Sequence, residues 1–341
     1  MLFPAHSIWD ELFYLIYIKG GKTMKKWKQY VWLLALVLTL GLAACSNNAE
    51  PAKETKQEAK TEEAAFPVTV KDAVGDVTIE KEPTKIVSLI PSNTEIAYAL
   101  GLGDKIVGVS DFDNYPEDVK NKEKIGGMEF NVEKIISLQP DVVLAHASSA
   151  HNSEEGLKQL KDAGITVIVV PNATSFNDVY ASIELIGKAT GKEKEAADVV
   201  QQMKQKIDAI AEKAKEVKEE ATVWVEVSPA PEIYTAGKGT FMDEMLTTIH
   251  AKNAAGDQEG WPMFTEEDAV ALNPDVIITT YGYYTPNAVE QVLARPAWKD
   301  VPAIKNKRVY DVNSDLVSRP GPRLAEGVEE IAKVVYPDIF K

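Results

Sequence analysis

One alternation of polar and apolar stretches occurs twice in this chain. A short amphipathic segment opens on a glutamate, Glu133 or Glu267, and seven residues later reaches Pro140-Asp141-Val142 or Pro274-Asp275-Val276. An apolar run follows each: Val142-Val143-Leu144 in the first copy, Val276-Ile277-Ile278 in the second. Proline cannot continue a helix, and β-branched residues suit a pleated strand. Each copy therefore predicts a helix, a break and a strand, with a Glu near the helix start. The repetition predicts two similar lobes with a cleft between them. It also supplies a matched pair of carboxylates, suited to a two-point contact.

The flanking pattern fills in each lobe. Apolar alternation at 68–70 and 77–79 predicts a hairpin, and 86–90 is a buried-type strand. Pro91 ends that strand, and Ser92 with Glu95 reads as a capping box opening a helix to Leu100. Strands at 106–109 and 166–170 and a helix at 154–163 complete an α/β lobe with a largely parallel sheet. Ser175 with Asp178 caps a helix to about 190. A second helix, about 192–217, carries Ala196, Val199, Val200, Met203, Ile207, Ile210, Ala211, Ala214 and Val217 at steps of three and four. At 1.5 Å per residue it is about 39 Å long, enough to cross from one lobe to the other. A surface helix of one lobe or a coiled-coil arm is the alternative. Strands at 222–227, 276–280 and 309–312, with helices at 240–249, at Glu267, at 287–293 and at 322–335, repeat the order. The predicted class is α/β: two similar lobes with largely parallel sheets, joined by one long bridging helix.

The N-terminal segment follows another logic. Lys25, Lys26 and Lys28 precede an apolar stretch, 31–42, too short for a secure membrane span and ending in Leu42-Ala43-Ala44-Cys45. This resembles the bacterial lipobox, whose cysteine becomes lipidated, with palmitate among the expected acyl groups. Residues 46–65 contain no large apolar side chain, so they bury no core and predict a tether reaching roughly 25 Å. The expected domains are 1–23, a leader outside the native protein if Met24 is the start; 24–44, a signal peptide; 45–65, the lipidated Cys45 and tether; 66–190, the N-terminal lobe; 191–218, the bridging helix; and 219–341, the C-terminal lobe. The expected location is extracytoplasmic, lipid-anchored to the cell membrane. Of 341 residues 45% are hydrophobic, enough for two cores. The net charge of −15, or −18 without residues 1–44, argues against a nucleic-acid partner.

Candidate chemistry is mostly negative. Gly237-Lys238-Gly239-Thr240 lacks the upstream glycine of a phosphate loop. Gly101-Leu102-Gly103 ends a helix instead of following a strand, and there is no Gly-x-Ser-x-Gly elbow. His146, His151 and His250 lack metal-ligand spacing. Neither a catalytic nor a metal site is predicted, and the chain is not read as an enzyme. The loops after strands are instead aromatic: Phe112 and Tyr115, Trp261, and Tyr281, Tyr283 and Tyr284. Ligands of parallel α/β sheets bind at the carboxyl ends of strands, so these rings are the candidate ligand surface. Arg319 is the candidate partner for an anionic ligand group or for Asp315, while Arg323 is read as tied to a neighbouring carboxylate.

Together the lipobox, the segment Ile-Val-Ser-Leu-Ile-Pro-Ser-Asn-Thr-Glu-Ile-Ala-Tyr (86–98), the doubled Glu…Pro-Asp-Val unit, the long helix and Arg319-Pro-Gly-Pro-Arg323 resemble one family. It is the ABC-transporter substrate-binding proteins for cobalamin, ferric siderophores and haem. The resemblance covers about 67–339. It implies a ligand held between the lobes, a permease dimer with its ATPase as partner, and docking of Glu133 and Glu267 in arginine pockets of the two permease subunits. It further implies that Trp261 stacks on the ligand, and that Phe112 and Asp315 contact it. The departure is Gly127, where the cobalamin binders carry a Trp; Met128 or Phe130 is the expected replacement wall. The resemblance implies no cofactor beyond a cargo that is itself a metal chelate. The aromatic, weakly basic loops favour cobalamin or a related corrinoid over a ferric siderophore, with haem open through a Tyr ligand. The chain is expected to be a monomer. A chelatase-type enzyme and a surface adhesin are the rival classes.

Overall fold

The computed structural model describes residues 66–150 and 153–341. The expected leader, signal peptide, Cys45 and tether, and His151, lie outside the described residues. The body opens with the antiparallel hairpin of β1 (Val68–Lys71) and β2 (Asp76–Ile79). Asp72 accepts hydrogen bonds from the amides of Val74, Gly75 and Val169, which pins the turn to the first sheet.

The first lobe contains β3 (Ile86–Ser88), α1 (Pro91–Ala99), β4 (Ile106–Val109), β5 (Glu123–Lys124), α2 (Val132–Leu138), β6 (Val142–His146), α3 (Glu154–Asp162) and β7 (Thr166–Val170). Its five strands are parallel in the order β5-β4-β3-β6-β7. Helices cover both faces, which is why β6 is buried at every position. One expectation fails here. Pro91 occupies the first helical position, where its missing N–H costs nothing, so Ser92 lies inside the first turn and caps nothing. Glu95 is then free for a different task.

Helix α4 (Phe176–Thr190) starts at the predicted Ser175–Asp178 capping box and stops at Gly191, whose φ of 71° suits glycine. Helix α5 (Glu193–Ala214) follows, 22 residues and about 33 Å long, ending one turn earlier than predicted. Of the nine predicted stripe residues, Ala196, Val200, Met203, Ile207, Ile210 and Ala214 are buried, Val199 and Ala211 are half-buried, and Val217 lies beyond the helix end. The buried side chains belong to one apolar cluster that includes Ile86 and Leu144 of the first lobe and Val223, Ile278 and Val328 of the second. The helix therefore bridges the lobes and shares its core with both.

The second lobe contains β8 (Thr222–Glu226), β9 (Ile233–Tyr234), α6 (Phe241–Thr248), β10 (Lys252–Asn253), β11 (Met263–Phe264), α7 (Glu266–Ala271), β12 (Val276–Thr279), α8 (Ala288–Leu293), β13 (Val309–Asp311) and α9 (Leu324–Val335). Its main sheet is parallel in the order β10-β8-β12-β13, with β9 and β11 as a separate antiparallel pair. This is the first lobe's plan without a counterpart of β5.

The doubled phrase does the same structural work twice. Gln139 and Asn273 end their helices at φ of 53° and 51°, each just before the repeated proline. The Asp141 carboxylate accepts from the amides of Thr84 and Lys85, and that of Asp275 from the amide of Thr222. Each aspartate thus clamps the start of the neighbouring strand, β3 or β8. Among the described residues no helix is long and apolar enough to cross a membrane.

Candidate ligand site between the lobes

The loop after β4 touches the loop after β13, so the carboxyl ends of the two parallel sheets meet. Asn114 Nδ2 donates to Asp315 Oδ2 at 2.8 Å. Arg319 donates from Nη1 to Asn114 Oδ1 at 2.7 Å and to Glu95 Oε1 at 2.9 Å. Its Nη2 lies 2.7 Å from Asp315 Oδ1. Arg323 grips Glu95 with Nε and Nη2 at 2.8 and 2.7 Å. Glu95 is only 3% exposed. This network ties α1 of the first lobe to the segment before α9 of the second. The expected tie of Arg323 to a carboxylate is present, but the carboxylate belongs to the other lobe. The bond from Glu95 holds the Arg323 guanidinium above its ordinary pKa.

The first lobe's rim carries Phe112 and Tyr115. Phe112 is 53% exposed, and its ring stands against Gly127 so closely that a side-chain carbon there would lie 3.1 Å from it. Gly127 therefore makes room for Phe112, whose ring occupies the space that a side chain at 127 would take. Phe130 is not that wall: it turns inward against Gly156 and the lobe core. Met128 does stand exposed. Tyr115 lies under the Arg323 guanidinium, 4.0 Å from its ring centre, so one face is committed to a cation–π contact. Beneath the rim, Asp113 is buried and accepts from Ser110 Oγ at 2.6 Å; burial pushes its carboxyl above the ordinary range.

The second lobe's rim is built by two loops. Trp261 follows Gly260, whose φ is 69°, in a loop laced to 237–239: Gly237 N donates to Gly260 O, and Gly260 N to Lys238 O. Its ring meets buried Phe241 edge-on at 6.1 Å and stays 45% exposed. The second loop corrects the sequence reading of Tyr281. That ring is 1% exposed, and its hydroxyl donates to Glu226 Oε1 at 2.6 Å. Glu226, at the end of β8, also takes a two-pronged bond from Arg295 at 2.9 and 2.7 Å. Burial, reinforced by Glu226, pushes the Tyr281 phenol well above its ordinary value. A buried, hydrogen-bonded phenol presents no surface to a ligand. Tyr281 instead anchors the loop, and Gly282 N is pinned to Asp311 Oδ1 at 2.9 Å. Tyr283 and Tyr284 project beyond these anchors, edge to face at 4.7 Å, with Tyr283 77% exposed.

A family model described as Periplasmic binding protein matches residues 86–316. The chain belongs to the periplasmic binding protein family. Within it, the chain is 56% identical over 321 residues to an uncharacterized ABC transporter substrate-binding lipoprotein, YvrC, of Bacillus subtilis, covering 93% of this chain and 100% of that one. It is 27% identical over 318 residues to a cobalamin-binding protein of Halobacterium salinarum, covering 90% and 85% respectively. Among solved structures, one from Staphylococcus epidermidis, described as a possible iron-binding (periplasmic solute-binding) protein, superposes with a TM-score of 0.69 at 40% identity, over 75% of this chain and 100% of that one.

In this binding protein the two repeated glutamates occupy one helical position. Glu133 and Glu267 are each the second residue of their helix, α2 and α7, two residues after the caps Asn131 and Thr265. Both are exposed, and among the described residues neither forms an ion pair. Negative charge in a first helical turn is stabilised by the helix dipole. Sequence reasoning missed Glu95, Asn114, Glu226 and Arg295. A lone carboxylate in an otherwise uncharged helix, as in Pro91-Ser92-Asn93-Thr94-Glu95-Ile96, was the available signal for the first. Among the described residues no group of His, Cys, Asp or Glu side chains is arranged to hold a metal ion.

Proposed function

We propose that this chain is the substrate-binding lipoprotein of an ABC importer and that it carries cobalamin or a related corrinoid between its lobes. Cys45 is the lipid anchor on the outer side of the cell membrane, and Glu133 and Glu267 face the two permease subunits. One observation carries the choice of ligand: the rim is aromatic, while Arg295, Arg319 and Arg323 are already paired with the protein's own carboxylates. The chain has four arginines. Arg295 is held by Glu226, Arg308 by the Val335 carbonyl, and Arg319 and Arg323 by Glu95. Phe112, Trp261, Tyr283 and Met128 remain for a large ring system of low charge. The Halobacterium relative's name supports the corrinoid, and the Bacillus relative's name supports the importer and the anchor.

A second reading, a ferric siderophore or haem as cargo, draws on exposed Tyr283 as an iron ligand and on exposed Lys238, which forms no ion pair among the described residues. Titration calorimetry of residues 46–341 against cyanocobalamin, haem, ferric citrate and ferrichrome separates the two. Saturable binding of cyanocobalamin alone supports the proposal. Tighter binding of an iron chelate transfers the assignment to the second reading.

A further inference from the structure

We propose that Glu95 sets the charge preference of the cleft: by pairing with Arg319 and Arg323 it offsets their charge at the floor between the lobes, so that the site admits a ligand of little net charge and refuses polyanionic metal chelates. The inference rests on the reading of this cleft as the ligand site.

Glu95 sits on α1 among residues that offer it no local cation, and it is almost fully buried. A buried carboxylate without a partner is strongly unfavourable, so its place depends on the guanidiniums of the other lobe. The accounting at the floor is even: Glu95 and Asp315 against Arg319 and Arg323. Most of the guanidinium edges are engaged as well. Arg319 spends Nη1 on Glu95 and Asn114, and Nη2 on Asp315. Arg323 spends Nε and Nη2 on Glu95, and Tyr115 covers a face of its guanidinium. Anionic chelates are recognised best by free guanidinium forks. Here both forks already hold a carboxylate that the protein itself provides.

Replacing Glu95 by Gln preserves size and keeps one carbonyl acceptor for the guanidiniums, but its NH2 cannot accept as the second oxygen does, and the floor is left with one positive charge in excess. Binding of ferric citrate and of cyanocobalamin is measured in low and high salt for the wild type and Glu95→Gln. The expected result is that Glu95→Gln gains at least about tenfold for ferric citrate in low salt, about 1.4 kcal/mol. Salt should erase the gain, and cyanocobalamin affinity should change less. Asp315→Asn creates the same excess at a more exposed position, so the test survives if Glu95→Gln does not fold. The double variant Glu95→Gln with Arg323→Gln restores balance and should lose the gain, which separates charge from mere loosening. If the wild type binds cyanocobalamin but neither single variant gains affinity for ferric citrate, the proposal is overturned while the assigned function stands. If the wild type itself binds ferric citrate in a salt-sensitive way, the refusal of anions is overturned together with the choice of corrinoid.

Discussion

The two copies of the repeated unit agree where they build and face outward, and differ where they face each other. Both have a helix with a Glu in its second position, a left-handed residue before a buried proline, and an aspartate clamping the neighbouring strand. At the carboxyl ends of the strands the likeness stops. The first lobe offers Phe112, Met128 and the acid Glu95; the second offers Trp261, the Tyr283–Tyr284 pair and both floor arginines. The shared part builds a stable sheet and places one exposed Glu at the same helical position in each lobe. The unshared part gives two unlike walls, which would suit a ligand with unlike faces.

The sharpest way to break this comparison is to alter what the lobes share. Glu133→Arg combined with Glu267→Arg should abolish ligand uptake by cells while leaving binding by the purified protein unchanged. Uptake at the wild-type rate would remove the docking role from the repeat. The next effect tests a feature of the second lobe alone. Arg295→Leu strands the fully buried Glu226 without its ion-pair partner and should cost about 3–5 kcal/mol in urea denaturation. A loss under about 1 kcal/mol would mean that Tyr281 and Trp224 suffice to hold Glu226.

Trp261→Ala comes third. It should weaken cargo binding about 30-fold, about 2 kcal/mol, and leave stability nearly unchanged, because the ring is already half exposed. The smallest effects compare the two clamps. Asp141 holds Thr84 through backbone and side chain, the Lys85 amide and Lys81, whereas Asp275 holds the Thr222 amide. Asp141→Asn should therefore cost about 2 kcal/mol and Asp275→Asn about 1 kcal/mol. Burial alone would raise the Asp141 pKa, but the bonds from Thr84, Lys81 and Lys85 outweigh it and hold it well below the ordinary 3.8. A depressed carboxylate contributes fully above its unfolded value and loses that contribution as pH falls. The gap between wild type and Asp141→Asn should thus be constant above about pH 5 and close on acidification below about pH 4.

Local pattern carried most of the fold. The hairpin, both sheets, the Ser175 capping box and the stripe on α5 follow from periodicity and turn chemistry, which act over a few residues. What stayed hidden depends on distant partners. Glu95 meets arginines 224 and 228 positions away, so only a local cap was available to explain it. Tyr281 and Tyr283 look alike in sequence, yet Glu226, 55 residues before Tyr281, draws one ring inside and leaves the other out. Gly127 was legible as a gap; that Phe112 fills it follows only from the approach of two loops.

A cleft with unlike aromatic walls and a balanced floor is the proposed corrinoid site. Trp261 is the exposed tryptophan among the described residues, since Trp224 and Trp298 are fully buried. Equilibrium dialysis of the purified protein, residues 46–341, against cobalt-labelled cyanocobalamin, with wild type and Trp261→Ala side by side, tests this most directly. The account predicts equimolar, saturable binding by the wild type that is unaffected by excess ferric citrate and markedly weaker in the variant. Absence of binding by the wild type, or equal binding by both proteins, would contradict it.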